Sequence, residues 1–157
     1  MKKKKSIHVT YSEIINIVLL VLWMVFIFAM SSFDAPQSDG QSGLIVNIVN
    51  NVIHTSNIDL LTTIIRKLAH LTEYFILGLL MINCLKDYKI NKIYILSVVF
   101  SFIYAITDEL HQTFISGRSG EIRDVVIDTI GALIGILIYK YIRKKYEKNI
   151  WEIINIY

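Results

Sequence analysis

The chain has one cysteine, one proline and few charges. With only Cys84, no intrachain disulfide can form, and no Cys–His spacing suits a zinc site. Cys84 lies in an apolar run and reads as a small buried hydrophobe. Pro36 is the sole proline, so long stretches carry no strong helix breaker. Charged residues make up 18% of the 157, hydrophobic ones 54%, and the mean hydropathy is +0.53. Charge this sparse excludes an ordinary soluble domain and points to an integral membrane protein. The length allows one domain. The net charge of +3 is small, and the basic clusters at Lys2 to Lys5 and Arg143 to Lys145 suit anionic lipid headgroups rather than nucleic acid.

The apolar runs predict an all-α, polytopic membrane helical bundle: four transmembrane helices plus a short interfacial helix. The spans fall at about 14–30, 68–85, 93–107 and 125–142. The first run exceeds the usual h-region of about 7–15 residues, which favours an uncleaved helix over a signal peptide. Residues 31–42 are polar, contain Pro36 and read as a loop. From Leu44, apolar residues recur at 44, 45, 48, 49, 52 and 53, a helical stripe too short to span a bilayer. Ser56 and Asn57 are candidate N-caps, with Asp59 in the first turn of a helix running to about Leu85. The third span is short unless it continues through Leu110. Phe114 to Glu121 contains Gly117 and Gly120 and reads as a turn. The apolar and aromatic tail could rest on the membrane surface.

Four spans put both termini on one side. That side, with the 86–92 loop, carries twelve of the sixteen lysines and arginines. The positive-inside rule then makes both termini cytoplasmic, in a multi-pass protein of the cell membrane. The ends bearing His70, Asp108 and Asp128 then face outward.

Two clusters of ionisable residues lie in these spans. Arg66, His70 and Glu73 share a face of the second helix, and Asp124, Asp128, Gly131 and Gly135 share one of the fourth. Asp108, Glu109 and Gln112 end the third span, and Arg118 lies in the following turn. A charged residue costs on the order of 3 kcal/mol at the centre of a span, so each needs a partner, water or a task. The spacing Gly131-Ala-Leu-Ile-Gly135 permits close helix approach. These nine polar residues form a candidate outward-facing binding site. Packing alone would be served more cheaply by small residues, although a purely structural set of ion pairs is the rival reading. No metal or other cofactor is expected: H-E-x-x-H is absent, and Asp108 and His111 fall on different helix faces. His70 with a carboxylate could act as acid and base, but no nucleophile motif accompanies them. A catalytic role is left open, and the balance leans against it.

At these residues the chain resembles the VanZ-like family. Arg66-Lys67-Leu68-Ala69-His70 with Tyr74 and Gly78 resembles its K-x-x-H-x-x-x-Y-x-x-x-G stretch. Asp108-Glu109, Gln112, Phe114 and Gly117-Arg118 resemble its D-E-x-x-Q-x-F-x-x-G-R. Asp124, Gly131 and Gly135 resemble its D-x-x-x-N-x-x-G-x-x-x-G. Ser31-Ser32 and Gln37-Ser38 are similar to its polar first loop. Asp128 replaces the usual Asn, which makes Arg118 or Arg66 its expected partner, and Ser116 stands where Pro is common. The resemblance implies a small multi-pass bacterial membrane protein associated with teicoplanin resistance. The expected partners are membrane lipids and a lipid-linked precursor or lipoglycopeptide. The function expected is non-enzymatic engagement of that polar group. The alternatives are an enzyme acting on a lipid-linked envelope precursor, or a structural protein whose charges only pair helices.

Overall fold

The computed structural model describes residues 10–33, 35–86, 88 and 92–154, and their regular structure is wholly helical. The lysines at 2–5, most of the basic 86–92 loop and the last three residues lie outside that description. The helices are α1 (Tyr11–Ser31), α2 (Ala35–Ile53), α3 (Ile58–Leu85), α4 (Ile93–Gln112) and α5 (Ile122–Ile154). Four of them, α1, α3, α4 and α5, are long and apolar enough to cross a membrane, as expected from the sequence.

Local chemistry sets the helix starts. Thr10 and Glu13 form a reciprocal capping box: the Glu13 N–H donates to Thr10 Oγ1 (3.3 Å), and the Thr10 N–H donates to Glu13 Oε2 (2.7 Å). This starts α1 three residues before its uncharged run. Asn57 caps α3 by accepting from the Leu60 N–H (3.0 Å), with Asp59 in the first turn.

Two boundaries differ from the sequence reading. Residues 35–42 are the first turns of α2, not loop, and the helix continues into the apolar stripe. Pro36 is accommodated because it falls in the first turn, where its missing N–H would have no intrahelical acceptor. Leu44, Ile45, Ile48, Val52 and Ile53 of the stripe are exposed, as a helix lying in an interface requires. The third span runs on to Gln112, because Asp108, Glu109 and Gln112 point into the bundle and not into lipid.

Helices α3 and α5 run parallel and form the most extensive pairing in the bundle. Glycine makes it possible. A Cβ at Gly131 would run into the Leu71 carbonyl, one at Gly135 into that of Phe75, and one at Gly78 into that of Ala132. The close approach expected from the G-x-x-x-G spacing is thus present. Tyr74, Leu77, Ala105 and Ala132 are buried at the centre, with Ile27 of α1 closing one side. Many large apolar side chains point outward, among them Val25, Phe28, Ile95, Ile103 and Leu137. Such a surface suits lipid, and helices satisfy their own backbone groups there.

Helix α1 is pinned by side-chain donors. Trp23 Nε1 donates to the Glu73 carbonyl of α3 (2.9 Å), and Tyr104 Oη of α4 donates to the Met24 carbonyl (2.6 Å). Asn16 Nδ2 donates to the Asn83 carbonyl (3.4 Å).

Candidate functional site

The polar residues gather at one end of the bundle because of chain direction. Helices α1 and α4 finish there, while α3 and α5 begin there. The parallel register of α3 and α5 sets Lys67 beside Asp124 and His70 beside Asp128, and the first pair makes an ion pair.

The turn after α4 delivers Arg118. Its N–H donates to the Ile115 carbonyl (3.1 Å), and Gly117 occupies the left-handed region (φ 74°) that this turn needs and glycine tolerates. Gly120 lies against the Glu109 carbonyl, where a Cβ would collide. Glu109 Oε2 accepts from the Glu121 N–H (2.8 Å), tying the turn back onto α4. The Arg118 side chain reaches α1, with Nη1 donating to the Ser31 carbonyl (3.3 Å).

These contacts shape a polar cavity of about 90 Å³, lined by Arg66, His70, Gln112, Gly117, Arg118, Ser119, Glu121 and Asp124. Beneath it lies a buried acidic layer. Asp128 is 0% exposed and Asp108 2%. His70 Nδ1 stands 4.0 Å from both Glu73 Oε2 and Asp128 Oδ1. His70, Asp108 and Asp128, from three different helices, each offer a ligand atom within 4.8 Å of the others. Gln112 Nε2 bridges Glu109 Oε1 (3.3 Å) and Asp108 Oδ2 (3.5 Å).

The nine residues singled out from the sequence thus divide. Arg66, His70, Gln112, Arg118 and Asp124 line the cavity. Asp108 and Asp128 are buried under it, and Glu73 lies beside His70 of its wall. Glu109 holds the turn and borders a different cavity. Asp124 is engaged by Lys67, so it supplies structure as well as lining. The expected pairing of Asp128 with Arg118 or Arg66 is not made: neither Asp128 oxygen accepts a hydrogen bond from any described residue. The reason is depth. Asp128 lies a full turn below Asp124, while Arg118 is held up at the turn by Ser31.

Several participants fall outside the nine residues singled out from the sequence. Lys67 joins through the α3–α5 register, which no local pattern encodes. Ser119 and Glu121 line the cavity because the turn folds inward. His111 stacks on Phe28 (ring centroids 4.2 Å apart) and meets Ser32 Oγ at 3.0 Å, so it fastens α4 to α1.

A second, apolar groove of about 320 Å³ opens between α4 and α5, lined by Phe102, Ile106, Leu110, Ile122, Val125 and Val126 among others. Glu121 borders both it and the polar cavity. No curated protein and no solved structure matches this chain. The model of the family described as VanZ/LLP1 matches residues 16–143, nearly the whole length, and the chain belongs to that family.

Proposed function

We propose that this membrane protein binds the anionic headgroup of a lipid-linked envelope precursor or a lipoglycopeptide at the outer surface, and so lowers teicoplanin susceptibility. The carrying observation is the junction at Glu121, where a small cavity with two arginines adjoins an apolar groove between α4 and α5. An amphiphile needs both surfaces side by side. Arg66 and Arg118 present planar forks suited to bidentate contact with phosphate or carboxylate. His70 and Gln112 add polar groups at the same wall. The cavity has room for one phosphate-sized group, and the groove is open for an acyl or isoprenoid chain. The basic bias of the sequence supports an outward orientation of this end.

The test is Arg118→Lys. Lysine keeps the charge but loses the fork. Membrane abundance should stay normal, while retention of a phosphate-headgroup lipid by purified protein should fall about tenfold, the scale of one charge-assisted hydrogen bond of about 1.5 kcal/mol. A host expressing this variant should lose most of the change in teicoplanin susceptibility given by the wild type. Wild-type lipid retention in Arg118→Lys, or a wild type that leaves susceptibility unaltered, would overturn the corresponding half of the proposal.

A structural reading is favoured at two positions. The Lys67–Asp124 ion pair and the Glu109–Glu121 bond hold helices and turn together. Their loss should lower abundance before it alters binding.

A further inference from the structure

We propose that His70, Asp108 and Asp128 form a binding site for one divalent transition-metal ion, such as Mn²⁺ or Zn²⁺, at the floor of the polar cavity. This departs from the metal-free expectation read from the sequence, which weighs metal ligands only within single helices.

Asp128 is fully buried, and neither of its oxygens has a hydrogen-bond partner among the described residues. Asp108 Oδ1 and His70 Nδ1 are likewise without one. A buried carboxylate left ionised and unpaired costs several kcal/mol, so the group must hold a proton or meet a cation. The spacing suits the cation. His70 Nδ1 lies 4.0 Å from Asp128 Oδ1, beyond the roughly 2.7–3.2 Å of a hydrogen bond. Metal bonds to imidazole and carboxylate are about 2.0–2.2 Å long, so an ion placed between atoms about 4 Å apart touches both. All three ligand atoms lie within 4.8 Å of one another.

The donor chemistry narrows the ion. An imidazole with two carboxylates suits Zn²⁺ and Mn²⁺ better than Ca²⁺, which takes six to eight oxygens. Three protein ligands leave at least one position open. His70 lines the cavity that Arg118 also lines, so the cluster adjoins the anion site. The phosphate contact rests on the function proposed above, whereas the ion site rests on the cluster alone.

The experiment uses full-length protein in nanodiscs, stripped with a chelator and then titrated with Mn²⁺ alone. Bound Mn²⁺ is read by electron paramagnetic resonance, and Zn²⁺ uptake by elemental analysis. Wild type should take one ion per chain. His70→Ala and Asp128→Asn should lose stoichiometric uptake, while Asp59→Asn, a carboxylate removed outside the cluster, should keep it. Should either variant fail to accumulate, the wild-type thermal midpoint decides: it should rise on adding Mn²⁺ to the stripped protein. Uptake by wild type no greater than by Asp128→Asn, or an unmoved midpoint, means the carboxylates share a proton and overturns the site. Loss of lipid retention in Arg118→Lys with the ion still bound separates the two proposals. An ion-free protein that still retains lipid sinks this one only.

Discussion

At the scale of single residues, the turn at Ile115 to Arg118 shows how one atom placement depends on backbone chemistry. Gly117 holds the left-handed position, and Ser116 sits just before it. That second position of a turn with positive φ at the third favours proline, which fixes φ near its required value. Among the described backbone bonds the Ser116 N–H makes none, so proline would sacrifice nothing there. Ser116→Pro should stabilise the protein by about 0.4–1 kcal/mol through the unfolded chain, read as a raised thermal midpoint in detergent. Lipid retention should be unchanged or better, since Arg118 would be held more firmly. A lowered midpoint would show that the turn does not have this geometry. Glu73→Gln complements it by removing a charge and keeping shape. It should leave abundance normal, because the groups that fix the helices are the Glu73 carbonyl and the Lys67–Asp124 pair, not the Glu73 carboxylate. A drop on membrane immunoblots would make that carboxylate structural.

At the scale of elements, the α3–α5 contact sets the site. Gly131→Val would push a side chain into the Leu71 backbone, and overpacking of this kind costs about 1–3 kcal/mol. The thermal midpoint should fall, and His70 and Asp128 should separate, with loss of Mn²⁺ uptake. Gly43→Ala in α2 is the contrast: nothing lies within 4 Å, and alanine should gain about 0.5–1 kcal/mol in a helix interior. Equal behaviour of the two variants would deny glycine its part in the contact. The spans, the α3 cap and the glycine stripe were all legible in the sequence because each is a local or periodic signal. The first turns of α2 were not, because proline and polar residues read as loop unless one knows they begin a helix. The gathering of His70, Asp108 and Asp128 was legible only as a requirement that buried charges find company. Which charge meets which follows from helix register and depth, and neither is written in any short segment. That is why Lys67 stands outside the nine candidates and Asp128 does not meet the arginine expected for it.

At the scale of the whole molecule, the chain's two described ends leave the bundle opposite the polar cavity. The orientation argued from basic residues therefore has a direct check. In a Cys84→Ser background, Ser56→Cys and Ser119→Cys should react with an impermeant thiol reagent on intact cells. Tyr146→Cys, exposed on the far part of α5, should react only after lysis. The reverse pattern would turn the site toward the cytoplasm and end the extracellular proposal. The bonds that fasten α1 carry a further consequence, for biogenesis. Trp23 and Asn16 donate to α3, and Met24 and Ser31 accept from α4 and from the turn after it. Every one of these partners is translated after α1. The first span therefore enters the bilayer with an indole and an amide still unpaired, and it can be locked only as the later helices emerge. Release of a nascent chain before Tyr104 and Arg118 have left the ribosome would leave α1 attached by its α3 bonds alone, a species for membrane proteases rather than for function.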